Sequence, residues 1–518
     1  MKMKNLKLSI YLLSIVLLLA CSTTKQTTQS AKKDDGKIDF TFLQLNDVYE
    51  IAPVQGGEFG GMARVQTLHQ ELIDENPNTF MFLAGDFLNP SLLGTLKVDG
   101  QRILGKQMVD VMNAMNFDLV TFGNHEFDIS QDALQERLNE SNFDWVSGNV
   151  KLKTAKGIEP FYKMKNGGKF PIAETYIKKF SDADGTKLKI GFISVTLPSN
   201  PKDYVAYGDV FIKAKASYNR IKDSVDVVFG LTHVKISEDL EIAKLLPNLP
   251  LIMGGHEHTN SNHFVGEVQV SKADANAKTV YVHKISFDKK TKKTTVTSKL
   301  KEINKAIPSE KTVGEVVDKW QAILKINIEK IIENPTEIIY TTSLPLDGRD
   351  TPIRSTQTNL GKMVAEAMSF SFNHQVDGAL VNGGSIRIDD ELMGPINAID
   401  IFRVLPFGGS ILKVELKGSL LKRVLDYGKK AAGTGAYLQR HQFSFVNGVW
   451  KIKDREIMAN MTYTVAFSDY LLKGYDIPFL SDKNAEVVSI YQPTEKEMAF
   501  DIRKAIVSFL KTQTKKER

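Results

Sequence analysis

The sequence predicts two α/β bodies in tandem: a layered N-terminal α/β domain with mixed sheets, and a C-terminal α+β domain joined to it by a helix. Three observations predict this. At 518 residues, and about 100–200 residues per domain, the chain holds two or three domains, each large enough to bury a core. From Ile38 onward, short apolar runs alternate with amphipathic stretches, the pattern of helices layered on sheets. Near 311–334 the stretch KTVGEVVDKWQAILKINIEKIIENP is long, amphipathic and stopped by Pro335, so it reads as a helix between two bodies. The expected boundaries are 37–310 for the first domain, 311–335 for the helix and 336–518 for the second domain.

Ahead of the first domain, Lys2, Lys4 and Lys7 flank an apolar run from Leu8 to Leu19. At roughly a dozen residues it is too short to span a bilayer and suits a signal sequence. The run ends LLACS, which resembles the bacterial lipobox, and Cys21 is the single cysteine of the chain. A signal peptide over 1–20, acylation of Cys21 and a polar tether over 21–36 are therefore expected. The other reading is an ordinary signal peptide with an incidental cysteine. Acylation would hold the exported protein on the periplasmic side of a bacterial membrane or on the cell surface, touching the membrane only through that lipid. One cysteine excludes internal disulfides.

The first-domain strands are expected at IDFTFLQL, TFMFLAG, FDLVTFG, LKIGFISV, SVDVVFGLTH and LPLIMGGH, and its helices at MARVQTLHQELIDE, RILGKQMVDVMNAM and DALQERLNES. The first set has strand length and content; the second carries apolar residues at helical spacing. The Lys-rich DKKTKKTTVTSK at 288–299 fits a hairpin turn with solvated edges. In the second domain GALVNGG, ILKVELKG and MTYTVAFSD are expected strands, and LGKMVAEAMSF, SLLKRVLDYGKK and EKEMAFDIRKAIVSFL expected helices. No repeat of solenoid period occurs. The net charge of +6 is small for this size and no basic face is interleaved with aromatics, which argues against a nucleic acid polymer as partner.

Several first-domain strands end in a side chain that can hold a metal: Asp47 in LQLND, Asp86 in FLAGD, Asn124 and His125 in TFGNH, His233 in FGLTH, and His256 and His258 in GGHEH. Strand ends are where open α/β sheets bind ligands. Any one of these residues alone would more often be a turn or cap residue. Together they form a carboxylate, amide and imidazole set without thiolate, suited to two divalent or trivalent ions such as Mn, Zn, Fe, Co, Ca or Mg, and unlike a structural Cys-type zinc site. An aspartate can bridge two ions, and Asp86 is the candidate. Two ions about 3.5–4 Å apart activate a water and clamp the oxygens of an in-line phosphoryl displacement.

This set, TFGNHEFD above all, resembles the metallophosphoesterase superfamily. The resemblance implies that Asn124 is a ligand and that His125 contacts the phosphoryl or leaving oxygen. Asp128 would orient that imidazole and favour its protonated form; its other reading is a helix N-cap, for which Ser130 competes. Glu126 is expected to be structural. In the second half, RSTQTNLG, NGGSIR, LPFGG and GAYLQ resemble the C-terminal domain of 5′-nucleotidases and UDP-sugar hydrolases, a likeness covering nearly all of 38–510. It implies a nucleotide substrate, with Arg354 and Arg387 on the phosphate, Asn382 as a polar contact, Phe407 and Tyr470 as the rings that sandwich the base, and Asp476 on the ribose hydroxyls. Guanidinium forks do match phosphate oxygens, and flat bases gain by stacking. Without the resemblance Phe407 would read as core, and Arg349 and Arg403 stand as alternative arginines.

Two positions depart from the family pattern. Where it has Asp-x-His, this chain has NDVYE, so Tyr49 occupies a metal ligand's place. Either it packs beside the site, with water or a neighbouring side chain completing the coordination, or it binds a ferric ion as tyrosinate. GYDIP at 474–478 stands where the family has Gly-Gly-Asp-Gly; Tyr475 and Ile477 cannot take the positive φ open to glycine, so the loop must differ, and Tyr475 competes with Tyr470 for the stacking role. His69, His263, His283, His374 and His441 are expected to be structural or surface residues.

The activity implied first is hydrolysis of 5′-nucleotides to nucleoside and phosphate outside the cytoplasm. The alternatives are cleavage of a UDP-sugar or a 2′,3′-cyclic nucleotide and, from a different class, nucleotide binding by a lipoprotein whose altered first site has lost activity. A thiosulfate-group hydrolase is disfavoured by the base-binding aromatics. With catalytic and binding groups on different domains, closure about the connecting helix is expected. The oligomeric state is open.

Overall fold

Strand Lys37–Leu45 shows how sequence alternation builds the first domain. Its even residues Ile38, Phe40 and Phe42 enter one apolar layer, while Leu43 and Leu45 face the opposite side, as the two-residue period of a strand requires. In the computed structural model, which describes residues 34–199 and 202–516, this strand lies inside a six-stranded sheet. The order is Lys293–Glu302, Thr279–Asp288, Lys37–Leu45, Thr79–Ala84, Leu119–Thr121, Asp144–Val146. The last four run parallel, and the Lys-rich stretch closes the antiparallel hairpin at the other edge. The expected signal peptide and Cys21 lie outside the described residues.

A second six-stranded sheet runs in the order Thr175–Ser181, Lys187–Ile193, Val227–Thr232, Leu251–Gly254, Val268–Lys272, Ser261–Val265, with its four central strands parallel. The sheets face each other across an aromatic layer in which the Phe42 ring lies 4.8 Å from Phe82 and 5.0 Å from Phe229. Burying each such ring contributes about 1.5–3 kcal/mol. Helices Met62–Glu75, Lys106–Met115 and Gln131–Glu140 cover the first sheet, and Val210–Ile221 and Ile236–Leu245 cover the second. Each parallel strand is re-entered from the same end, so its exit loop lies on a common side. The loops after Leu45, Ala84, Thr121, Thr232 and Gly254 thus gather at one rim.

The second domain is a five-stranded sheet, Leu438–His441, Gly378–Asn382, Thr462–Ser468, Ile411–Lys417, Val487–Tyr491, with helices Asn359–Phe370, Gly418–Lys430 and Ile502–Lys516. Three boundaries differ from expectation. The helix expected at 495–510 starts at Ile502, because Asp501 is extended and the Glu497 carboxylate ties down Thr494 instead. The one expected at 102–115 starts at Lys106, behind a left-handed Gly105. The connecting helix ends at Glu329 rather than running to Pro335. It is also more than a spacer: Val313, Val317, Trp320, Leu324 and Ile328 form a buried stripe at helical spacing that packs on helices Met62–Glu75 and Lys106–Met115. The short strands between Gly157 and Pro171 were not expected, because their exposed, mixed side chains carry no apolar alternation.

The domains meet at the rim through charged pairs. Buried Arg403 reaches Glu50 across the interface at 3.2 Å and Asp400 at 3.3 Å; Lys278 donates to Asp390 at 2.8 Å; Arg387 stands 3.8 Å from Asp128. Arg403 is therefore engaged between domains, which removes it as an alternative phosphate ligand. Trp320→Ala is expected to cost about 3–5 kcal/mol of stability by opening a cavity in the stripe, read from denaturant unfolding; a loss below about 1 kcal/mol would show that the stripe does not anchor the helix.

Candidate metal centre and nucleotide site

Asp47 and Asp86 are buried at the ends of neighbouring strands, and both adopt left-handed backbone conformations, φ 53° and 58°, uncommon for residues other than glycine. The twist turns each carboxylate inward toward the second sheet. There His233 completes a group in which the ligand atoms of Asp47, Asp86 and His233 all lie within 4.8 Å of one another. The His233 Nδ1 hydrogen goes to the Ala84 carbonyl at 2.7 Å, which leaves Nε2 facing Asp86 at 3.0 Å. His256, also left-handed at φ 86°, stacks edge-on to His233 with ring centroids 5.5 Å apart. His258 Nε2 is 3.4 Å from Asp47.

The loops can approach this closely only through glycines. A Cβ on Gly123 would sit 2.0 Å from Asp86 Oδ1, and one on Gly255 would sit 2.2 Å from the Ala84 carbonyl. Asn124 Oδ1 and His233 Nε2 are among the buried polar atoms that find no hydrogen-bond partner. Such atoms are rare in folded proteins and call for an explanation; an amide oxygen and an imidazole nitrogen are donors of the kind that suit a cation. Electrostatics agree. Burial alone would raise the Asp47 and Asp86 carboxyls, yet His233 and the neighbouring imidazoles hold both below the usual carboxylate range. Burial and His233 press His256 down to about 4, so it stands as a neutral donor. Burial and the flanking aspartates raise the Tyr49 hydroxyl well above its ordinary value, so it is a neutral phenol here. It lies 3.0 Å from His258 Nε2 and 3.5 Å from both Asp47 and Asp86.

Asp128 holds His125 through Nδ1 at 2.7 Å, while Ser130 caps the following helix. Burial would lower the His125 ring, but Asp86 and Asp128 outweigh it and push it up to about 9; at neutral pH the ring is protonated, with Nε2 left for substrate. The His125 backbone N–H donates to Asp86 at 2.7 Å.

Two supporting residues matter more than their sequence context suggested. Glu126 is buried, and its carboxylate accepts from the backbone N–H groups of Asp86, Phe87, Leu88 and Gly123 at 2.6–3.1 Å. It fastens the Asp86 turn to the Asn124 turn; burial and Asp86 push it up to about 7. Lys272, 0 % exposed, donates to the Val234 carbonyl at 2.6 Å, to the Gly255 carbonyl at 2.7 Å and to Glu257, and lies 2.9 Å from Asp239. It thereby ties together the two loops that carry His233, His256 and His258. A lysine ending the strand VQVSK was the available signal. Of the remaining histidines, His69 and His283 are buried, His374 and His441 lie in the second domain, and His263, exposed on an edge strand, lines the cavity over the rim.

A cavity of about 630 Å³ opens over the rim, lined on one side by Asp86, Asn124, His125, His256 and His258 and on the other by Arg349, Asp350 and Asp389. Arg354 pairs with Asp350 at 2.8 Å, its Nε buried without a partner; Arg349 is clamped to Asp347. Asn382 is buried and engaged with Asp476 at 2.7 Å and Ser385 at 2.6 Å, so it steadies Asp476. Phe407 and Tyr475 are 66 % and 72 % exposed, and Tyr470 lies 5.8 Å from Tyr475. Phe407 is therefore not core. The loops bearing Phe407 and Tyr470 are joined, since the Asp469 N–H donates to the Ser410 carbonyl at 2.9 Å. In the GYDIP loop only Gly474 has positive φ; Ile477 turns into the core and Tyr475 turns out, which is how the loop does without the family's glycines.

Comparison with known proteins adds three findings. The family model of calcineurin-like phosphoesterases matches residues 40–260, and that of the 5′-nucleotidase C-terminal domain matches 338–481. The chain is 26 % identical to the 5′-nucleotidase of Homo sapiens over 451 residues, 78 % of this chain and 74 % of the relative. It is 26 % identical over 437 residues to the trifunctional nucleotide phosphoesterase protein YfkN of Bacillus subtilis, 78 % of this chain and 29 % of the relative. The crystal structure of a 5′-nucleotidase precursor from Thermus thermophilus superposes with a TM-score of 0.64 at 22 % identity, covering 92 % of this chain and 97 % of that one, a likeness of fold.

Replacing the buried cation by Lys272→Met leaves Asp239 and Glu257 uncompensated, an expected loss of about 3–5 kcal/mol in stability, together with about 10–100-fold weaker metal binding through the loosened loops. Denaturant unfolding and chelator competition read the two effects; a folded variant with unchanged metal affinity would show that the clamp is dispensable.

Proposed function

Because the chain belongs to the family that joins a calcineurin-like phosphoesterase domain to a 5′-nucleotidase C-terminal domain, and is thus a phosphoric ester hydrolase, we propose that it releases phosphate from 5′-nucleotides outside the cytoplasm. The observation that carries this reading is the cavity in which the imidazoles and carboxylates of one domain face the arginine-bearing loops of the other. Asp47, Asp86, Asn124, His233, His256 and His258 are the residues that would hold two ions, whose chemistry is to polarise a phosphoryl oxygen and to make water nucleophilic at neutral pH.

The protein's own groups then position and protonate. His125, held by Asp128, donates from Nε2 to a phosphoryl oxygen or to the departing ribose oxygen. Arg354 and Arg387, with Arg349 at the cavity wall, pair with phosphate oxygens through their guanidinium forks. Phe407 on one side and Tyr470 or Tyr475 on the other stack the base, and Asp476 accepts from the ribose hydroxyls. The pairs Arg403–Glu50 and Lys278–Asp390 hold the domains closed and limit the entry of bulk water. The domain division at 37–310, 311–335 and 336–518 and the acylated Cys21 form part of the same reading.

Tested on the chain from Ser22 onward, phosphate release from AMP is expected, lost on chelation, restored by a divalent ion, and abolished in Asp86→Ala. Assaying UDP-glucose and 2′,3′-cyclic AMP beside AMP separates the monoester from the diester reading, and saturable AMP binding without release under any metal would favour a binding protein. Phe407→Ala is expected to raise KM for AMP about 10–100-fold with little change in kcat, the loss of a stacking contact of about 1–3 kcal/mol; an unchanged KM would remove Phe407 from the base site.

A further inference from the structure

The second domain places one acidic residue against the metal rim. Asp389 lies two residues beyond Arg387, in a left-handed conformation with φ 44°. Its Oδ1 accepts the Asp350 N–H at 2.6 Å, its backbone carbonyl accepts from His258 Nδ1, and its Oδ2 stands 3.5 Å from His258 Nε2. The same Nε2 is 3.4 Å from Asp47 Oδ1 and 3.0 Å from the Tyr49 hydroxyl. Donor atoms held about 2.0–2.2 Å from a common ion lie roughly 2.9–3.6 Å from their neighbours in octahedral or tetrahedral shells. All three separations from Nε2 fall in that range. With Nδ1 already donating to a carbonyl, two carboxylate oxygens facing Nε2 need a cation there, either a proton or a metal.

Resting on the metal-centre reading above, we propose that Asp389 is a ligand supplied by the second domain. Its Oδ2 replaces the imidazole that the family pattern has at the position of Tyr49, and its carbonyl orients His258. An ion held by Asp47 and His258 would gain the Asp389 oxygen only when the domains are closed, whereas Asp86, Asn124, His233 and His256, which would hold the other ion, all belong to the first domain. Closure and metal affinity are thereby linked, and an open enzyme holds one ion tightly and the other weakly.

The test is metal binding itself. The tether-free chain from Ser22 onward, with Asp389→Asn and Asp389→Glu variants, is titrated with Mn²⁺ and with Zn²⁺ against a chromophoric chelator, and bound metal is counted after dialysis. Wild type is expected to retain two ions. Asp389→Asn keeps the backbone carbonyl and is expected to weaken one ion about 10–100-fold while the other is unchanged; that retained ion also reports a folded first domain. Asp389→Glu is expected to recover part of the loss. Two ions bound at wild-type affinity in Asp389→Asn would overturn the proposal and leave Asp389 as an ion-pair partner of protonated His258. Phosphate release from AMP is measured alongside. Release together with Asp389-independent binding of both ions sinks this inference alone; no release from wild type despite Asp389-dependent binding sinks the nucleotidase reading alone.

Discussion

The structure is organised around carboxylates that ought not to be neighbours. Asp47 and Asp86 are both buried, both face His233, and both are turned toward one point by backbone conformations that side chains resist. Gathering anionic oxygens away from water costs several kcal/mol per charge unless cations compensate it. Imidazoles do part of this, and the donor set suits a cation for the rest. Much of the first domain serves this concentration of donors: two sheets present their strand ends to one rim, glycines at 123 and 255 let the loops touch, and Glu126 and Lys272 fasten those loops from behind.

Those two fasteners work with opposite charge and the same logic. The Glu126 carboxylate satisfies four backbone N–H groups that the tight turns leave unpaired; the Lys272 ammonium satisfies two carbonyls and two carboxylates. Each is a buried charge whose hydrogen bonds are spent on the geometry of ligand loops. A centre built on loop tips needs such support, because loops without it sample too many conformations to hold donor atoms within tenths of an ångström.

The second domain brings Arg349, Asp350 and Asp389 to the other wall of the cavity. Its contacts with the first domain near the rim are polar, Arg403 to Glu50 and Lys278 to Asp390, with Arg387 near Asp128 and Asp389 against His258. Polar seams of this kind are exchangeable with water and allow relative motion of domains more readily than apolar ones. The apolar stripe of the connecting helix, in contrast, fixes that helix to the first domain.

The alternation of apolar runs and amphipathic stretches determined the layered fold class and several central strands, because burial of one face is a local and periodic demand. Exposed strands such as Thr175–Ser181, Ser261–Val265 and Val487–Tyr491 carried no such signal. The residue types at the strand ends, Asp47, Asp86, Asn124, His125, His233, His256 and His258, marked the candidate metal site in the same way, since few other donors suit a hard or borderline cation. What only the tertiary structure decided is which groups share a space across hundreds of residues. Arg403 went to Glu50, Asn382 to Asp476, Lys272 to two ligand loops and a helix, and Asp389 to His258. Ile477 and Tyr475, neighbours but one in sequence, took opposite sides of one loop. No periodicity encodes such pairings: each depends on distances set by how two sheets and two domains pack, and those exist only once the chain has folded.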